Sequence, residues 1–149
     1  MSRAYSTTTV PIEKSQAEIR ALLGRHGATQ FAFGEEVDTK GVWWAVVQFT
    51  HGAMMVRLRV PYKVDEAAAR AKAANARTKT LADFRIELAE QEAKRIWRVI
   101  AWNLKARLVA VEEGVESIAE AFLAHVVLPD NRTVYERIAE DNPRLIESG

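Results

Sequence analysis

The stretch VWWAVVQFT-HG-AMMVRLRVPY, residues 42–62, restricts the fold more than any other part of the chain. Two alternating apolar runs flank a two-residue His51–Gly52 loop, the pattern of a β-hairpin; Gly52 readily takes positive φ and His51 tolerates it. With Thr50 opposite Ala53, one face pairs Phe49 with Met54, Val47 with Val56, Ala45 with Leu58 and Trp43 with Val60. Every pair is apolar. The other face pairs Gln48 with Met55, Val46 with Arg57 and Trp44 with Arg59. A slip of one residue would invert this sorting. One face must therefore be covered, and the other carries Trp44, Arg57 and Arg59. Pro61 ends the strand or marks an edge.

Flanking segments supply the rest of a sheet and its cover. TQFAFGEE places Phe31 and Phe33 on one face of a preceding strand, and DTKG reads as a turn. Further upstream, Ser15 and Glu18 have capping-box spacing; Ile19, Leu22 and Leu23 form an apolar stripe, and Gly24 or Gly27 can end the helix. A long helix is predicted from Thr80 to Glu113, capped by Thr80 and Asp83 and ended by Gly114, with a break near 90–93 allowed by its length. Its core stripe is Ala89, Ala93, Ile96, Trp97, Ile100, Leu104, Leu108 and Val111. Short helices are expected in VESIAEAFLAH and from Thr133, with a turn at PDNR between them. The expectation is one α+β domain over 1–149: a three-stranded antiparallel meander under the long helix, which packs on the Trp43/Val47/Val56/Leu58 face. Residues 1–12 read as a flexible arm, 64–79 as a basic alanine-rich connector and 143–149 as a frayed tail.

Composition excludes several classes. With 149 residues and 48% hydrophobic content, the chain can bury a core of ordinary size. No cysteine is present, which removes disulfide scaffolds and thiolate metal sites. The start has no apolar signal-peptide core, and the longest apolar run, Val42–Val47, is far too short to cross a bilayer. There is no phosphate-binding glycine loop, no dinucleotide fingerprint and no nucleophile elbow. His26, His51 and His125 lack ligand spacing, and His125 reads as a structural histidine. Glu35, Glu36 and Asp38 could hold a hard cation, but a solvated charge run is the stronger reading. No catalytic motif and no cofactor site emerge, so a non-enzymatic protein is expected.

Charge is segregated. Residues 53–111 hold thirteen bases and six acids, net +7, and residues 112–149 hold three bases and nine acids, net −6. The acidic end either packs on the basic middle or leaves it available to a polyanion. Within KRIWRVIAWNLKARL, Lys94, Arg98 and Lys105 share a helix side with Trp102, away from the core stripe. Cations attract phosphates and an indole stacks a base, a pairing that suits single-stranded nucleic acid. Trp44 with Arg57 and Arg59 forms a second platform, and Arg70, Lys72, Arg77 and Lys79 of the connector could close over a strand. Structural explanations compete: macrodipole complementarity for the helix charges, lysine and arginine stems covering Trp102, and a cross-strand cation–π pair for Trp44.

Two stretches, residues 7–28 and 95–134, covering 62 of 149 residues, resemble a group of small uncharacterised proteins encoded by bacteriophages and prophages. The shared residues are Arg95, Trp97 and Arg98, then Lys105 to Gly114, Phe122 to His125 and Val127 to Asp130, with DNRT standing where DGRT is usual. The resemblance implies a phage or prophage origin and action inside the bacterial host cell, and it brings no activity with it. The order of elements is also similar to the β-β-β-α core of phage single-strand annealing proteins, an association at the level of architecture. The expected function is therefore single-stranded DNA binding of a recombination-accessory kind, with homo-oligomerisation open. The alternative is a small module that binds and redirects a host protein, using the same Trp and Arg residues as anchors. A metal-dependent enzyme built on Glu35, Glu36 and Asp38 stands third.

Overall fold

A computed structural model describes residues 3–147. Helix α1 (Ile12–Arg25) leads into strands β1 (Thr29–Val37), β2 (Trp43–His51) and β3 (Met54–Tyr62). Helix α2 (Glu66–Ala74), the long α3 (Leu81–Glu112), α4 (Ile118–Phe122) and α5 (Val134–Asp141) follow, with single 3₁₀ turns after α4 and α5. The strands form one antiparallel meander in the order β1-β2-β3, and α1 and α3 lie side by side on one of its faces. This is the expected α+β architecture. Among the described residues, no helix is long and apolar enough to cross a membrane.

The hairpin keeps its facial sorting but not its expected register. Its loop is Gly52–Ala53, so His51 pairs with Met54, Phe49 with Val56, Val47 with Leu58, Ala45 with Val60 and Trp43 with Tyr62. Each partner is displaced by two residues, which leaves the same side chains on the same faces. Gly52 at φ +59, followed by a residue with negative φ, matches a type II′ turn, where glycine takes the first central position. The displacement keeps His51 in the strand, its Nε2 bonded to the His26 carbonyl at 2.9 Å. It also stacks Trp43 on Tyr62, with centroids 6.3 Å apart. Phe31 and Phe33 share the covered face as expected, after a bulge between Thr29 and Ala32 in which Gln30 has φ +54.

Helix α1 begins three residues before the expected cap, at Ile12 after Pro11. The Ser15–Glu18 capping box is therefore not formed. Ser15 is inside the helix, fully buried, and its Oγ has no hydrogen-bond partner. Gly27, at φ +87, closes the helix: its N–H reaches Gly24 O and the Ala28 N–H reaches Leu23 O. That pair of bonds is the Schellman motif, and Gly114 closes α3 in the same way. The Thr80–Asp83 capping box is present, and α3 runs unbroken for 32 residues, about 48 Å at 1.5 Å per residue. The connector is ordered over 66–74: Asp65 caps α2, and Ala69 is sealed against α3. The arm lies along α3, held by Gln91 donating to the carbonyls of Ser6 and Thr8 and by the Arg3–Glu92 ion pair. Residues 1–2 of the arm and 148–149 of the tail lie outside the described residues.

The core centres on Trp97, which has no solvent exposure. Phe33 meets its ring edge-on at 6.2 Å and 78°. Its Nε1 donates to Glu35 Oε1 at 3.3 Å. Ile96, Ile100, Leu104 and Leu108 of α3, Ile19 and Leu23 of α1, and Val47, Phe49, Val56 and Leu58 of the sheet complete the cluster, with Phe122 sealing it against Phe49. Trp97→Ala is expected to cost about 3–5 kcal/mol by leaving a cavity. Ser15→Ala should stabilise the fold by roughly 1 kcal/mol, because it removes a buried hydroxyl with no partner. Urea denaturation monitored by circular dichroism checks both values.

Candidate nucleic-acid interface

Alternation along the strands decides what the uncovered face of the sheet presents. Because Ala45, Val47 and Phe49 point into the core, Trp44, Val46 and Gln48 point away from it. Arg57 and Arg59 do the same between Val56, Leu58 and Val60 on β3. The chain after α4 then returns along the edge of β3, where the Val127 N–H donates to Met55 O at 2.8 Å. This return builds a wall beside the sheet. A cleft of about 450 Å³ lies between them, with Trp44, Arg57 and Arg59 on the floor and His125, Tyr135 and Glu136 on the wall. A shallower depression over Gly34, Val46 and Gln48 also opens on this face of the sheet.

The floor is held by specific bonds. Asp38 Oδ1 accepts from the backbone N–H groups of Lys40 and Val42 at 2.8 and 2.9 Å, and its Oδ2 accepts from Trp44 Nε1 at 3.0 Å. The indole N–H together with these backbone donors holds the Asp38 carboxyl below its ordinary value of 3.8. Arg59 stacks its guanidinium 4.4 Å from the Trp44 ring centroid and reaches the exposed Glu36 at 3.3 Å. Arg57 donates to the Asn131 carbonyl and side chain at 3.1 and 2.7 Å. It has no carboxylate partner among the described residues, so its charge is uncompensated by any ion pair. Tyr135 is 52% exposed, which leaves its ring available. Burial, aided by the nearby Arg107 cation, pushes the His125 imidazole below its ordinary value and keeps it neutral at pH 7.

The helix residues are arranged differently. Trp102 is 59% exposed, but Arg98 beside it is ion-paired with Glu18 of α1, and the guanidinium holds the Glu18 carboxyl below its usual range. Lys94 lines a separate cleft of about 410 Å³ with Glu13, Glu35 and Glu90, between Trp43, Tyr62 and Ile86. Lys105 is exposed and has no carboxylate within ion-pair distance among the described residues. The same is true of Arg70, Lys72 and Arg77, whereas Lys79 pairs with Glu87. Trp44 and Trp102 sit on opposite sides of the two layers, since one faces away from α3 and the other away from the sheet. The two patches seen in the sequence are therefore not parts of one surface.

Among the described residues the acidic segment 112–149 makes no ion pair with a lysine or arginine of the basic middle. Two of its three arginines pair within it: Arg132 with Asp130 and Glu140, and Arg137 with Asp130 and Asp141. Glu35, Glu36 and Asp38 do not converge, because adjacent strand residues face opposite ways: Glu35 bonds Trp97, Glu36 reaches Arg59, and Asp38 holds its loop. Among the described residues no group of three potential metal ligands forms. Sequence reasoning missed Tyr135, Asn131 and the wall as a whole. The PDNR turn was visible, but not the pairing of Val126 and Val127 with the edge of β3 just before it. No family model, curated protein or solved structure matches this chain.

The Asp38 contacts generate a pH test. A carboxyl depressed in the folded state contributes stability above its unfolded value, and that contribution is lost as pH falls through the lower folded value. The Trp44 indole N–H resonance is expected to shift with a midpoint below pH 3.8. In Asp38→Asn that step should vanish, as followed by two-dimensional NMR.

Proposed function

We propose that the protein binds single-stranded nucleic acid on the uncovered face of the sheet and does so without catalysis. The observation that carries this reading is the Trp44–Arg59 stack in an open cleft that also holds Arg57 and the exposed ring of Tyr135. Arg57 and Arg59 would neutralise phosphates, and Tyr135, with the free part of Trp44, would stack bases. Around the end of the sheet, on the helix side, Trp43 lines a further cleft with Lys40 and Lys63, where Arg85 is paired with Glu66. The strand's path can extend from there towards Arg70, Lys72 and Arg77, cations that the fold leaves unpaired. A neutral His125 adds no charge to the cleft at pH 7. The phage setting implied by the sequence resemblance belongs to this proposal, with single-stranded DNA inside the host cell as the expected ligand.

Fluorescence anisotropy with a labelled oligo-dT measures the binding directly. Affinity should fall steeply with salt, at a log–log slope of roughly −0.7 per phosphate contacted. Arg57→Gln with Arg59→Gln is expected to flatten that slope by about 1.4. Tyr135→Ala should cost roughly 1–3 kcal/mol at all salt concentrations. Absence of binding at low salt, or an unchanged slope in the double variant, overturns the reading. A host-protein partner on the same cleft would instead show affinity that barely responds to salt.

A further inference from the structure

The outward side of α3 carries a stripe that the sheet-face cleft does not use. Val99, Trp102, Ala106 and Val109 are spaced by three, four and three residues, the seven-residue seam of a helix that packs against another helix. They lie on the opposite side of α3 from the buried Trp97, Ile100, Leu104 and Leu108. Trp102 is 59% and Val109 46% exposed, Ala106 is exposed and Val99 is half-buried. The patch continues at both ends. Tyr5 of the arm, 40% exposed, lies near Arg98, and Val115, 77% exposed, follows the end of the helix. An isolated exposed aliphatic residue needs no explanation, but an indole centred in a run of this kind marks an interaction surface.

We infer that this stripe is the interface of an antiparallel homodimer, in which α3 packs against α3 of a second copy across a two-fold axis. The occupant is argued from charge and shape. Between Lys94 and Val111 the helix has five bases and no acid, and Glu112, Glu113 and Glu116 follow directly. A parallel pair would set base against base and acid against acid. An antiparallel pair sets Glu113 of one copy opposite Arg95 of the other, at the end of the basic stretch where Arg3 and Arg95 share the single carboxylate of Glu92 and so leave a net positive charge. With the axis near Leu104, the large Trp102 covers the small Ala106 of the second copy, and Val99 meets its Val109. Tyr5 is carried towards the far end of the opposing helix, where Val115 lies. Large-against-small pairing, repeated twice by symmetry, is the self-complementarity that a two-fold interface requires. Lys105 of each copy falls beside the axis, where its stem can cover the indole while the ammonium reaches water.

The same geometry argues against a phosphate backbone as the occupant. Of the two cations flanking Trp102, Arg98 is tied to Glu18 and only Lys105 is unpaired, too little charge to hold a phosphate backbone along the stripe. In the dimer the sheet-face clefts point outward on opposite sides, so the interface and the proposed nucleic-acid surface do not compete.

Sedimentation velocity on the full chain over about 1–100 μM tests this. A monomer–dimer equilibrium is expected, and Trp102→Asp should shift it at least tenfold towards monomer, with circular dichroism unchanged and a melting temperature equal to the wild type's at concentrations where both are monomeric, because the side chain is exposed in the single chain. Trp102→Ser gives the same readout with no added charge. A wild-type chain that stays monomeric throughout, or variants that dimerise like wild type, overturn the proposal. Because the chain has no cysteine, direction can be read separately. Val99→Cys and Val109→Cys variants, mixed and oxidised, should give a mixed disulfide-linked pair, while each alone gives little. Efficient linking of either variant to itself overturns the antiparallel arrangement.

Discussion

Everything in this molecule is referred to the burial of one indole. Trp97 enters between the sheet and α1, meets Phe33 edge-on, and gives its N–H to Glu35 on the neighbouring strand. A buried indole needs both the apolar walls and the acceptor, and only one rotation of α3 supplies them together. Once that rotation is set, Ile100, Leu104 and Leu108 face inward and Trp102 must face water, five residues along the same helix. The bond also fixes the first strand, because Glu35 can reach Trp97 only if β1 runs with Phe33 on the same side. Tyr62 lies close to the same carboxylate, and burial together with Glu35 pushes its phenol well above its ordinary value, so it stays neutral.

Two surfaces follow from this arrangement, and they differ in how their charges are spent. On the helix side, the ion pair with α1 takes up Arg98 beside Trp102, and the indole stands in an otherwise apolar stripe. On the sheet side, Arg57 is anchored by a backbone carbonyl and an amide instead of a carboxylate, and Arg59 stacks on a ring while reaching the exposed Glu36. Hydrogen bonds to neutral groups orient a guanidinium without cancelling its charge, so the cleft retains a field that exposed ion pairs would weaken. Among the described residues the acidic end makes no ion pair with a lysine or arginine of the basic middle: Asp130, Glu140 and Asp141 take Arg132 and Arg137, and Glu112 reaches His26 at the end of α1.

Much of the architecture was legible from local pattern. The meander, the long helix with its Thr80–Asp83 cap, the glycine stops and the short late helices all follow from period, capping and turn chemistry. Errors came where two local rules tied. Ser15 and Glu18 fit a capping box, but the helix gains another turn of packing by starting at Ile12, and the serine is buried unsatisfied as a result. His51–Gly52 and Gly52–Ala53 both make acceptable turns, and a shift of two preserves the facial sorting, so alternation could not choose between them. A bond from His51 to the backbone of α1 and the Trp43–Tyr62 stack are available only in the observed register. Alanine buries little, so the composition of the connector gives no sign that it packs, yet Ala69 needs only a small contact with α3 to be sealed.

Sequence alone determined which residues face the core and which face water, because strand and helix periods assign sides without reference to any partner. It therefore named Trp44, Arg57, Arg59 and Trp102 as outward groups. Tertiary structure decided which of them share a surface and which keep their charge. Glu18 neutralises Arg98 from eighty positions away, and Asn131 and Tyr135 reach the sheet from a chain segment that reverses after α4. Such pairings depend on how elements cross in space, and no spacing along the chain encodes them.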